Sequence, residues 1–236
     1  HAETLEQGDP DLRPEFINLI ELGIDKKLSE ENSFFATAYY RSTKNVINRV
    51  NTVYSDNILN RIYSNVGDAK TFGVEFGTQL KLTAKSDAFI GGNIYHYNLN
   101  GSFDNNPVNT NTTVYSFNAN ANYRFWENAT LQFSINYISD RVTAQGEDSR
   151  YYTPNLSIQK SFLNDKLKAT LQWLNIDMGL LDTNEQRITT WRENEFYTTT
   201  NYIYEVDMIT LNLSYTFQNG KNRSRFIESE FGKREF

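Results

Sequence analysis

The sequence predicts an all-β chain, an antiparallel transmembrane β-barrel segment of about nine long strands. Three observations lead there. Apolar and polar residues alternate with period 2 over runs of about ten residues. Helical periodicity of comparable strength is found nowhere. The connections between the runs alternate short and long along the whole chain. A soluble sandwich has no reason for that order, because its two ends meet the same solvent. A bacterial membrane barrel does, because tight turns collect on one side of the bilayer and long loops on the other.

The elements follow in order. The first two strands are expected over 14–28 and 33–48, joined by the polar turn Ser29–Asn32. In the third, 69–82, Phe72, Val74, Phe76, Leu80 and Leu82 share one parity and Glu75, Gln79 and Lys81 the other. The turn Thr83–Asp87 leads to a strand over 88–102. The clearest run is 111–125, where Tyr115, Phe117, Ala119, Ala121, Tyr123 and Phe125 alternate with Ser116, Asn118, Asn120, Asn122 and Arg124. Beyond Trp126–Asn128, the strand 129–140 sets Leu131, Phe133, Ile135 and Tyr137 against Thr130, Gln132, Ser134 and Asn136. The strand 150–163 holds Leu156, Ile158 and Phe162, with Lys160 in the same parity; a lysine there belongs near the headgroups, where its stem snorkels. After Asn164–Lys166 come 167–178, with Leu167, Ala169, Leu171 and Trp173, and 200–217, with Ile209, Leu211, Leu213, Tyr215 and Phe217. Long loops are expected near 49–68, 103–110, 141–149 and 179–199.

Composition agrees with a wall that is greasy on one side only. Mean hydropathy is −0.62, yet aromatics reach 14% with 15 Tyr, 16 Phe and 3 Trp, so the apolar surface is concentrated in rings. A net charge of −6 argues against nucleic acid. The absence of cysteine removes disulfides, thiol catalysis and Cys-based zinc sites. Of the 2 histidines, His1 is terminal and His96 reads as a wall or loop-base residue, so no catalytic constellation, metal site or cofactor is expected and the chain reads as no enzyme. The acidic segments Asp9-Pro10-Asp11 and Gly146-Glu147-Asp148 match no calcium loop and read as solvated charge.

The faces assign the candidate site residues. Glu21, Asp25, Glu75, Lys81, Asn118, Asn120, Asn122, Arg124, Gln132 and Asn136 are expected to face a hydrated lumen, where charge costs little. Phe125, Trp126, Phe162 and Phe217 form one aromatic belt beside the short turns, and Tyr95, Tyr97, Tyr137, Tyr151 and Tyr152 a second beside the long loops. The stretch 179–204 concentrates Trp191, Arg192, Phe196, Tyr197, Tyr202 and Tyr204; the first four are candidates for contact with a ligand or a partner, and an interfacial belt explains the same rings.

Nine strands place the two chain ends on opposite sides of the membrane and leave two edges unpaired in hydrocarbon, so the chain is expected to be the C-terminal part of a larger barrel. Particular segments agree. GDPDLRPEFINLIELGID (8–25) resembles a strand-opening segment of TonB-dependent receptor barrels. NVGDAKTFGVEFGTQLKL (65–82) resembles their N-x-G-x-A-x-x-x-G-V-E-x-E segment. MITLNLSYTF with the following RFIESEFGKREF is similar to the ending of the Bacteroidetes branch of that family. The resemblance implies about 22 strands around an N-terminal plug, with the plug and the remaining strands lying upstream. It implies outer-membrane lipid around the wall, import of a scarce nutrient, coupling to a TonB complex through the plug, and a possible surface lipoprotein lid. It divides the chain into barrel (1–217) and a charged periplasmic tail (218–236), with Tyr215, Phe217 and Phe236 as candidates for the assembly signal. The alternatives are a complete smaller porin-like or surface-binding barrel, and a soluble β-sandwich binding module.

Overall fold

The computed structural model describes residues 3–55, 58–179, 185–203 and 205–217. In chain order the strands are β1 (Glu3–Gln7), β2 (Phe16–Lys27), β3 (Ser33–Ser55), β4 (Ile58–Thr83), β5 (Ser86–Phe103), β6 (Asn106–Trp126), β7 (Ala129–Ile138), β8 (Arg141–Thr143), β9 (Gly146–Asp148), β10 (Tyr151–Phe162), β11 (Leu167–Leu174), β12 (Glu185–Arg192), β13 (Phe196–Ile203) and β14 (Met208–Tyr215). The main sheet runs β2-β3-β4-β5-β6-β7-β10-β11-β14, every neighbour antiparallel, with β1 adding in parallel to the start of β4. A second sheet, β13-β12-β9-β8, lies at the long-loop end. Among the described residues β2 and β14 are free edges of the main ladder and do not pair with each other.

The register ties the parities of all the long strands together. One row crosses the sheet as Lys81, Asp87, Asn122, Gln132, Ser157, Gln172 and Thr210. The adjacent row reads Leu80, Ala88, Ala121, Phe133, Leu156, Trp173 and Ile209. A slip of one residue in any pair would mix these rows, so the pattern itself holds the pairing. Among the described residues no second sheet covers the apolar rows: Ile90, Ile94, Phe117 and Leu171, in the middle of the ladder, all remain exposed. The sandwich reading is thereby overturned, because a sandwich exists to bury those side chains.

All four expected long loops contain strand. The stretch 49–68 continues β3 and β4 as a hairpin arm, with β3 spanning 23 residues and β4 26. The stretch 103–110 shrinks to the two-residue turn Asp104-Asn105, whose φ values of 49° and 62° fit the left-handed turn that matches strand twist. Likewise 141–149 folds into β8 and β9, and 179–199 contains β12 and the start of β13. Residues 200–203 complete β13, so the last wall strand starts at Met208 rather than at 200. These segments lack the lipid-to-water alternation because they bury their apolar residues against one another. Val46, Val50 and Val66 of the arm pack with Ala69, Leu99 and Val108 into a buried cluster, flanked by Ile62, Tyr97, Phe103 and Ala144.

The arm leaves the wall at a crossing of backbones. Gly67 has φ +139°, and a Cβ there would overlap the Asn100 carbonyl and the Gly101 Cα; one on Gly101 would overlap the Val66 carbonyl. Only glycine allows so close an approach. Opposite, β3 bulges between Thr43 and Val46, with Asn45 at φ 56°. The chain entering β2 is fastened here. Asn65 accepts from the Arg13 amide at 2.8 Å and donates to the Arg13 carbonyl at 2.9 Å. Glu15 accepts from the Ile47 amide at 2.6 Å, Asp9 from the Ser64 hydroxyl at 2.8 Å, and Asp68 from the Asn45 amide at 3.0 Å. The segments 8–25 and 65–82, which carry the resemblance noted in the sequence, therefore meet at one knot.

Candidate functional site

The ten polar candidates share one face of the ladder. Glu21 pairs with Tyr39, Asp25 with Phe35, and Glu75 with Thr37 and Asn93. Asn118 faces Asn136, Asn120 faces Ser134, Asn122 faces Gln132 and Arg124 faces Thr130. Short-range partners hold several of them. Asn122 donates to Asp87 at 2.9 Å, and Lys81 lies 3.6 Å from Glu31 beside the turn. In mid-sheet the face has a hollow of about 450 Å³, with Gly91 as floor and Glu75, Asn93, Asn118, Asn136, Phe35 and Phe89 around it.

Rings also occupy this polar face, contrary to the expected division of rings outward and amides inward. Phe35, Tyr39, Phe89 and Tyr95 lie in the rows of Gly77, Gly73, Asn120 and Val114 respectively. They are accommodated by glycine. A Cβ on Gly77 would strike the Phe35 ring, and one on Gly73 the Tyr39 phenol, whose hydroxyl donates to Asn93 at 3.1 Å. The belt assignment is corrected accordingly. Tyr95, Tyr97 and Tyr151 belong to the polar face, whereas Tyr137 and Tyr152 pair on the apolar one. The signal that escaped the sequence reading is the spacing of Gly73, Gly77 and Gly91 in polar-face parity, which gains meaning only once the strands are in register.

At the short-turn end the apolar face carries a girdle. Rings of Tyr123, Phe125 and Trp126 adjoin one another, with 4.9 Å between the centroids of the last two. Lys160 places its ammonium 4.6 Å from the Trp126 ring centre and 5.2 Å from that of Phe162. Tyr215 and Phe217 meet edge to face at 4.8 Å where the ladder ends. Phe236, the tail 218–236 and Tyr204 lie outside the described residues.

The loop candidates come together on one hairpin. Trp191 pairs with Tyr197, their rings stacked at 6.5 Å, and Arg192 pairs with Phe196. Arg192 is less open than a surface contact requires. Its side chain is only 11% exposed, Nη1 lies 2.9 Å from Asp104 and 3.1 Å from Glu195, and the guanidinium sits 5.4 Å above Phe103. It clasps the β12–β13 hairpin to the β5–β6 tip. A second clasp joins this sheet to the arm: Gln145 accepts from the Asn51 amide and donates to the Asn51 carbonyl, both at 2.7 Å, while Asn51 donates to Thr190 at 3.0 Å. Asp148 is engaged by Arg141 at 2.6 Å, and among the described residues no three His, Asp or Glu side chains converge as metal ligands. His96 contacts the Thr113 hydroxyl at 3.1 Å on the apolar-face parity. The arrangement offers a polar wall and a self-braced loop cap, with surfaces suited to binding.

The comparisons agree with this geometry. No curated protein sequence matches the chain. Its fold is similar to the solved structure of the FrpB iron transporter from Neisseria meningitidis (F3-3 variant), with TM-score 0.57 at 13% identity, over 89% of this chain and 32% of that one. The chain thus spans about a third of that structure's length. Because the model of the outer membrane protein beta-barrel family matches residues 1–215, the chain belongs to that family and resides in the outer membrane.

Proposed function

We propose that the chain is the C-terminal part of the wall of a TonB-dependent importer of the Bacteroidetes type. Residues 1–217 would complete, with strands and a plug from elsewhere in the protein, a barrel of about 22 strands; residues 218–236 would be a periplasmic tail. The ten polar-face residues line the lumen and meet the plug, through which a TonB complex supplies energy. Trp191, Phe196 and Tyr197 present the outer loop surface to ligand or to a lipoprotein lid, and Tyr215 with Phe217 or Phe236 forms the assembly signal. The chain performs no bond chemistry of its own. The observation that carries the reading is the ladder: among the described residues, nine antiparallel strands present a mainly apolar face and a mainly polar one, with both edges open. Open edges in lipid leave backbone groups unsatisfied at several kcal/mol each, so further strands must close them.

The test is uptake and conductance of the whole protein. Expressed in an outer membrane that lacks other importers, it should support growth under nutrient limitation, iron limitation first, only while TonB is intact. In planar bilayers it should conduct barely at all. Growth that ignores deletion of TonB, together with steady open conductance, would establish a porin-like channel instead.

A further inference from the structure

We propose that the polar face holds a binding site for a small aromatic carboxylate, in the cleft between the wall and β8. Strand β8 folds back over β6: Thr110 donates to the Thr143 carbonyl at 3.0 Å, and Thr110 and Val114 are buried by the crossing. Beside this roof is a hollow of about 240 Å³, with Tyr95, Tyr97 and Thr112 on the wall side and Arg41 and Asn48 from β3. A complete drug-sized ligand needs roughly 300–1,000 Å³, so this cleft takes a single small ring or the end of a larger molecule. Arg41 is what points to the ligand. It shares a row with Thr71, Tyr97 and Thr112, and it is exposed. Among the described residues no carboxylate lies in ion-pair contact with its guanidinium; Glu21, diagonal to it on β2, leaves it unpaired.

Charge and shape select the class of ligand. The second cation of the lining, Arg141, is already matched by Asp148 at 2.6 Å, and no carboxylate stands among the described lining residues. A cation entering would meet the unmatched charge of Arg41, and a neutral ring would leave it unused. A carboxylate accepts from both arms of the guanidinium fork in one plane, the strongest match that charge has. Asn48 and Thr112 offer further donors, and Tyr95 and Tyr97 offer ring surface to an aromatic body. The inference rests on the polar face being the watered one, as in the transport reading, but not on import. Binding is measured at equilibrium, so its failure would leave TonB-dependent growth untouched, and loss of that growth would leave the site standing.

The test titrates the whole detergent-extracted protein with benzoate, benzamide and benzylammonium, read by saturation-transfer NMR. Benzoate should bind, benzamide about tenfold more weakly, and benzylammonium not measurably. Arg41→Gln removes the fork from a side chain that holds nothing else in place, and should weaken benzoate about tenfold while leaving benzamide unchanged. Lys168→Gln removes a polar-face cation near the short turns, paired with Ser161 and Ser214, and should leave benzoate binding at its parent strength. Thr112→Trp fills the cleft and should abolish binding of both benzoate and benzamide. Absence of benzoate binding, as when a carboxylate from elsewhere in the protein already occupies Arg41, would overturn the proposal. So would equal affinity for benzamide, parent affinity in Arg41→Gln, or an equal loss in Lys168→Gln, which would mean a diffuse field rather than a site.

Discussion

The same strands obey different rules at their two ends. Toward the short turns, β4, β5 and β6 show an apolar face and a polar face, and their apolar side chains stay exposed, as Ile90 and Phe117 do. Toward the long loops, the face that held Asn118 and Glu75 holds Ala69, Leu99, Thr110 and Val114, all buried. The wall is stabilised by two solvents, lipid on one side and water on the other. The cap above it is stabilised as a small soluble protein is, by a core of Val46, Val50, Val66, Ala69, Leu99 and Val108 and by clasps between segments far apart in sequence. Strand pairing is common to both regions; what differs is the medium that each face meets.

The largest test of that difference sits on the last wall strand. Leu211 and Asn212 are neighbours on opposite faces, Leu211 in the row of Leu171 and Asn212 in the row of Thr170. Leu211→Arg puts a charge into hydrocarbon, at about 2–4 kcal/mol if at mid-depth, and should leave little heat-modifiable folded barrel in the outer membrane. Asn212→Arg should assemble normally, within about 0.5 kcal/mol of the parent. Equal tolerance of both changes would refute the assignment of faces. Next in size is Gly67→Val. A side chain at φ +139° with the Asn100 carbonyl in its way strains the crossing by about 1–3 kcal/mol or more. The arm should detach and become sensitive to added protease near 46–66, while the wall keeps its heat-modifiable mobility.

The contrast also explains what the sequence revealed. All nine wall strands were legible, because lipid and water impose period 2 on each of them. The knot at Asn45 and Gly67 was legible only as motifs at 8–25 and 65–82, since their contact joins Arg13 to Asn65 across a span of 52 residues. The cap was illegible. The bulge after Thr43 shifts parity in mid-strand, and the clasps of Asn51 with Gln145 and Arg192 with Asp104 span 94 and 88 residues with no local signature. Among the site candidates the ten polar residues share one face of the ladder, because one parity rule covers them all. Trp191, Arg192, Phe196 and Tyr197 were found as a group but not by role, because nothing beside Arg192 in sequence announces Asp104. The rings of Phe35, Tyr39 and Phe89 were missed because hydrophobicity alone sends a ring to lipid, whereas a glycine across the strand gives it room on the wet side.

A smaller effect separates cap from wall cleanly. Gln145→Ala strips two hydrogen bonds from the Asn51 backbone, which water replaces only in part, at about 1–2 kcal/mol. Amide exchange should quicken over 46–55 and 188–191 while 129–138 and 151–162 hold their protection. Uniform quickening along the chain would mean that cap and wall unfold as one unit.

The smallest change gives the most informative sign. Lys160 lies on the apolar face, paired with Ala129 and Ala169, with its ammonium over Trp126 and Phe162. If this girdle sits at headgroup depth, Lys160→Met removes a cation–π contact and a headgroup partner, and unfolding in liposomes should show a loss of about 0.5–1 kcal/mol. Were the girdle at mid-depth, the same substitution would relieve a buried charge and stabilise the barrel by about 2–4 kcal/mol. Because Trp126 and Phe162 flank the short turns 127–128 and 163–166, the membrane must end where these rings are, and the loss is the expected sign.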